Sequence, residues 1–103
     1  MENYVADIGK YTTNVNESAV AAIVKYCGIA LRNADSALVS ATSSSELATV
    51  RDGFAAKKLG LAADAADAAI QRVIEKMKGA QRKSRVTFYY LLAEETGTLD
   101  KLA

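Results

Sequence analysis

Histidine, proline and tryptophan are absent from the 103 residues, and cysteine occurs once. Each absence removes a class of function. Without histidine the commonest general base and the commonest zinc and copper ligand are missing, and one cysteine makes neither a thiolate cluster nor a disulfide within the chain. Most hydrolytic triads and most transition-metal centres are thereby excluded. The six glycines are scattered and form no GxGxxG or GxxxxGK[ST] string behind a strand, which excludes the known phosphate loops. Charge of one sign is also lacking: 13 Lys and Arg stand against 12 Asp and Glu, a net charge of +1, so the overall field is not tuned for nucleic acid or an anionic membrane. Apolar runs are short. A bilayer span needs about 18 residues, and the longest candidate, 19–31, is interrupted by Lys25. The string Met1-Glu2-Asn3-Tyr4 carries an acid where a secretory signal carries basic residues. The expectation is a cytoplasmic protein with no membrane segment, no metal, no cofactor and no evident small-molecule substrate.

Alanine is what the sequence has in quantity, with 20 residues. It favours helix but buries little area per residue, so a monomer's core rests on the fewer large apolar side chains, and a homodimer would help to stabilise the fold. The length fits a single domain over 1–103. Tyr4, Val5, Ile8 and Tyr11 recur at helical spacing and predict a first helix over 2–11. Asn16 is an N-cap in preference to a glycosylation acceptor and opens a second helix with Val20, Ile23, Val24, Cys27 and Leu31 on one face. This stripe predicts the most buried helix, with Gly28 admitting a close neighbour and Cys27 a small core residue. Residues 32–45 read as a loop with a helical turn near Asp35. Ser43 and Glu46 form a capping-box pattern ahead of Leu47, Val50 and Phe54, and Lys57-Lys58-Leu59-Gly60-Leu61 is a helix stop. A fourth helix starts near Asp64 and Asp67, turns Ala66, Ile70, Val73, Ile74 and Met77 inward, and closes at Lys76, Lys78 and Gly79. The last, over 81–96, carries Val86, Phe88, Tyr89, Tyr90, Leu91 and Leu92 around more than one face; this content also suits a strand, but its flanks favour helix. The fold class is all-α, a compact bundle of four to five short helices.

Two surfaces stand out. Lys76, Lys78, Arg82, Lys83 and Arg85 bracket Gly79 with only Glu75 against them, and three of them lie where a helix N-terminus disfavours cations, so they are candidate phosphate contacts for a weak, salt-sensitive nucleic-acid affinity. Phe88, Tyr89 and Tyr90 bring rigid aromatic area; such a stripe is more often core, and the three are candidate interface residues if it meets a partner. Asp64 and Asp67 lack a third carboxylate and are accounted for by the helix dipole. Glu94 and Glu95 point in different directions, which leaves them on a solvated surface.

The strings Asn33-Ala34-Asp35-Ser36-Ala37, Glu46-Leu47-Ala48-Thr49-Val50-Arg51, Phe54 with Lys57-Lys58-Leu59-Gly60-Leu61, and Val86-Thr87-Phe88-Tyr89-Tyr90-Leu91-Leu92 resemble those of a family of short bacterial proteins known as domain of unknown function 2853. The resemblance covers roughly the C-terminal two thirds. It implies a compact all-helical fold and a bacterial cytoplasmic protein, and it brings no activity and no catalytic residues. Within the shared strings, Asn33 and Asp35 read as holders of a local turn. The expected function is a small non-enzymatic interaction or structural protein whose partner is itself or another protein; a nucleic-acid accessory role through the basic turn is the alternative.

Overall fold

The caps written in the sequence start helices where they are expected in the computed structural model, which describes residues 2–80 and 83–102. Helix α1 spans Glu2–Ile8 and α2 spans Glu17–Cys27. The Oδ1 of Asn16 accepts from the Ala19 N–H at 3.1 Å, satisfying one of the donors that a helix start leaves unpaired. Replacing Asn16 by Ala is expected to cost about 1 kcal/mol, read as a lower urea midpoint with an unchanged slope. Gly28, at φ +46, ends α2, and the chain tightens into a 3-10 turn over Gly28–Arg32. No atom lies within 4 Å of where a Gly28 Cβ would stand, so this glycine serves the backbone angle and not the expected close helix approach.

Helix α3 spans Ser44–Val50 and runs on, without a break, as a π-helix over Arg51–Lys58. Only half of the expected capping box forms. The Glu46 N–H donates to Ser43 Oγ at 3.3 Å, but the Glu46 carboxylate is turned away to Arg85. The wide winding carries into the stop signal: the Leu59 N–H reaches back to the Phe54 carbonyl, and the Leu61 N–H to that of Ala55, around Gly60 at φ +67. Helix α4 spans Ala63–Lys76 and buries Ala66, Ala69, Ile70 and Val73, with Met77 buried just beyond it.

A two-residue pair of strands was not visible in the sequence. Leu38–Val39, β1, pairs antiparallel with Lys83–Ser84, β2, in the register Leu38 with Ser84 and Val39 with Lys83. It fixes the middle of the 32–45 segment, whose first turn is held by Asn33 Oδ1 accepting from the Asp35 N–H at 2.8 Å. Ser84 is extended, so α5 begins at Arg85 and runs to Glu95, later than the helix start at 81 read from the sequence; Gln81 and Arg82 lie outside the described residues.

The centre of the bundle is α5, not α2. Every residue from Arg85 to Ala93 is buried, and α5 packs on α1, α2, α4, the π-helix and both strands. The reason is compositional: α2 has one apolar stripe and keeps a solvent side, whereas an all-round apolar helix is stable only when enclosed. A short 3-10 turn over Leu99–Lys101 closes the described chain, with Lys101 Nζ donating to the Leu59 carbonyl at 3.1 Å. The all-α reading stands, with the small β1–β2 pair as its one addition. Among the described residues no helix is long and apolar enough to cross a membrane.

Candidate interaction surface at the end of α2

The polar groups singled out in the sequence are mostly engaged within the molecule. Lys76 Nζ lies 3.2 Å from Glu95 Oε2, and Lys78 Nζ 2.9 Å from Glu75 Oε1. Lys83 Nζ donates to the Ala80 carbonyl at 2.7 Å. Arg82 lies outside the described residues. Arg85 is buried: its Nε donates to the Ser36 carbonyl at 2.6 Å, its Nη2 to the Leu38 carbonyl at 3.2 Å and to Glu46, and its Nη1 to the Tyr89 hydroxyl at 2.9 Å. A cation in the first turn of α5 is therefore explained by acceptors from α3 and the 32–45 segment, which outweigh the helix dipole at short range. The four described members of the basic set do not form an open row of phosphate donors.

The aromatic set lies inside. Phe88, Tyr89 and Tyr90 are 0%, 5% and 1% exposed, so α5 presents no aromatic surface to a partner. Tyr90 places its hydroxyl where the Asn16 N–H donates to it at 2.9 Å, and Tyr89 stacks on Phe54 at 4.2 Å between ring centroids. The acidic residues are similarly tied. Glu94 accepts from the Thr12 hydroxyl at 2.6 Å, and Glu95 is held below the ordinary carboxyl range by Lys76 and then Arg72, which correct the solvated surface expected for the pair. Asp67 pairs with Arg51 at 3.6 Å, and Asp64 accepts from the Ala65 N–H. Among the described residues no three acids or thiols gather as metal ligands would.

Cys27 is half-buried beside this core, and burial pushes its thiol up to about 11, with Arg85 opposing. Burial likewise raises the Tyr89 phenol. Both groups keep their protons in the folded chain at pH values where the unfolded chain has begun to lose them. Stability from these two groups is therefore complete below the ordinary thiol pKa and falls as pH rises from about 9 towards 11. The thiol is expected to react with iodoacetamide at pH 8 far more slowly than in urea, a difference that mass spectrometry measures directly.

What the fold leaves outside is a spot at the end of α2. Tyr26 is 39% and Ile29 79% exposed, and they are the only large hydrophobic side chains exposed among the described residues. The Tyr26 ring leans on Phe54 of the π-helix, 5.4 Å between centroids at 56°, and Lys58 of the same π-helix sits over it at 5.5 Å. Phe54 connects this surface inward, since it also stacks on buried Tyr89. A π winding is uncommon and recurs at functional sites; this one carries both Phe54, packed against the Tyr26 ring, and Lys58, seated over it. The 3-10 turn after Gly28 places Arg32 one turn beyond Ile29 on the same side. Lys25, Arg32 and Lys58 are all exposed, and none is in an ion pair among the described residues.

Reading the stripe alone misses this spot, although a signal for it exists. On a continuous helix Ile29 falls about 180° from Val20, nine residues earlier, which is opposite the buried face. An aliphatic side chain on the solvent side of an amphipathic helix is the pattern that marks it.

The family model described as protein of unknown function (DUF2853) matches residues 3–100, nearly the whole chain. No curated protein matches the chain.

Proposed function

We propose that the chain, which belongs to the DUF2853 family of proteins of unknown function, is a non-catalytic protein-interaction module whose contact surface is the Tyr26–Ile29 spot. One observation carries this reading: among the described residues the exposed large hydrophobic side chains, Tyr26 and Ile29, stand on neighbouring turns at the end of α2, while nearly all the others belong to or pack on one core. Leaving Ile29 in water gains nothing for the monomer, and exposed apolar side chains three residues apart offer area that a partner can cover. The spot is small, which suits a transient contact over an obligate one.

The nucleic-acid alternative draws no support from the basic turn, because its described cations hold carboxylates and carbonyls of their own chain. Among the described residues catalysis likewise lacks a geometric candidate. Arg85, Glu46 and Tyr89 come together, but Arg85 donates to both partners and to two backbone carbonyls and so serves as a structural tie.

The test is position-specific. A photo-crosslinking amino acid at position 29, introduced in the cells that make the protein, is expected to give a discrete protease-sensitive adduct, whereas the same group at exposed position 71 on α4 gives none. Absence of an adduct at 29, or equal adducts at both positions, overturns the reading.

A further inference from the structure

We infer that the partner at this surface is an acidic segment of a different protein, one that presents bulky aliphatic side chains flanked by carboxylates. This partner class rests on the interaction-module reading and adds its chemistry. Three observations carry it. The apolar centre, Tyr26 and Ile29, has exposed Lys25 next to it in sequence, Arg32 one 3-10 turn after it and Lys58 over the tyrosine ring. None of these cations is neutralised by an ion pair among the described residues; Asp35, three residues beyond Arg32, forms none with them. By contrast six other cations, Lys10, Arg51, Arg72, Lys76, Lys78 and Arg85, each lie within ion-pair distance of an acid. Of the six described cations outside ion pairs, Lys83 and Lys101 donate to the carbonyls of Ala80 and Leu59, and the other four, Lys25, Arg32, Lys57 and Lys58, include the three named at the exposed apolar spot.

Like charges exclude the obvious competitor. A second copy joined by two-fold symmetry sets this spot against itself and brings the rim cations face to face, which is repulsive. A head-to-tail copy has nothing apolar to offer, because no other large hydrophobic side chain is exposed among the described residues. A single-stranded nucleic acid needs an open aromatic face for stacking, and the Tyr26 ring already carries Lys58 over one face and Phe54 against it; Ile29 offers no stacking at all. An acidic and aliphatic protein segment satisfies both halves of the site, covering Ile29 and pairing the rim.

The test uses the full chain labelled with nitrogen-15 and four probes. The first is a helical peptide of Glu, Leu and Ala with leucines on one face. The second replaces each Glu by Lys, the third replaces each Leu by Ala, and the fourth is a single-stranded oligothymidylate. The first peptide is expected to shift amide resonances in 25–32 and 53–58, more weakly as salt is raised. The second and third are expected to bind at least tenfold and fivefold more weakly. The triple variant Lys25→Glu, Arg32→Glu, Lys58→Glu is expected to lose at least tenfold in affinity for the first peptide while keeping its helical circular dichroism. Equal binding of the charge-reversed peptide overturns the inference, as does equal binding of the alanine peptide, which reports charge alone. Perturbation of these residues by the oligonucleotide and not by the first peptide assigns the surface to nucleic acid instead. If no probe acts but the position-29 crosslink forms in cells, the acidic partner class is wrong and the interaction module stands. If that crosslink is also absent, both fail.

Discussion

Arg85→Met is expected to destabilise the fold by about 3 kcal/mol in urea unfolding, a large part of the 5–15 kcal/mol by which a domain of this kind is stable. Methionine fills the aliphatic part of the site, so the loss is electrostatic. The Glu46 carboxylate, the carbonyls of Ser36 and Leu38 and the Tyr89 hydroxyl all lose the donor that joined them. Removing one partner of a buried ion pair costs about 3–5 kcal/mol, and the lower end applies because the Glu46 side chain keeps 22% of its exposure and can be partly hydrated. Lysine at 85 recovers only part of the loss, since an ammonium is a point donor and cannot reach acceptors on several sides as the guanidinium does. Adding Glu46→Gln to Arg85→Met recovers some stability by removing the stranded charge, and a double-mutant cycle reads that coupling. If Arg85→Met instead unfolds at the wild-type midpoint, the arginine does not hold the 32–45 segment and α3 to α5.

Phe54→Ala is expected to cost about 4 kcal/mol, from lost burial plus the cavity that a rigid neighbourhood leaves open. Its ring is 1% exposed, stacks on Tyr89 at 4.2 Å and supports Tyr26 at 5.4 Å. A melting temperature lower by roughly 15–30 °C corresponds to that cost in a domain of this size. Because Phe54 is the support under Tyr26, the variant should also speed amide exchange at the end of α2 before global unfolding. Phe54→Leu keeps most of the burial and loses the stacking, so it is expected to fall between the two. Amide exchange at 24–29 unchanged in Phe54→Ala would show that the core and the α2 surface are independent.

Much of this architecture is legible in the chain. The Asn16 cap, the start of α3 at Ser43 and the stop at Gly60 are local, each involving residues a few positions apart, and each forms. What is not legible depends on residues far apart in sequence. Glu46 looks like a capping-box partner until Arg85, 39 residues away, takes its carboxylate. Arg85 looks like a misplaced cation at a helix start until Ser36 and Leu38 supply carbonyls across the β1–β2 pair. The aromatic run of α5 has no polar side, and that signals enclosure; its reading as an interface left open which helices enclose it, which only the packing of α1, α2 and α4 answers. The π winding has no local signature at all, and with it the seat of Lys58 over Tyr26 was hidden. Ile29 could have been found, because its position opposite Val20 depends only on helical geometry.

In the proposed division of labour, Arg85 and Phe54 hold the fold, and Ile29 with its cationic border meets the partner. The measurement that tests this division most directly is a side-by-side urea unfolding and acidic-peptide titration of Ile29→Ser and the wild type. A residue 79% exposed contributes little to folding, so Ile29→Ser is expected to unfold within about 0.5 kcal/mol of the wild type. Its affinity for the acidic peptide is expected to fall at least fivefold. A variant that loses stability, or that binds the peptide as tightly as the wild type does, contradicts the account.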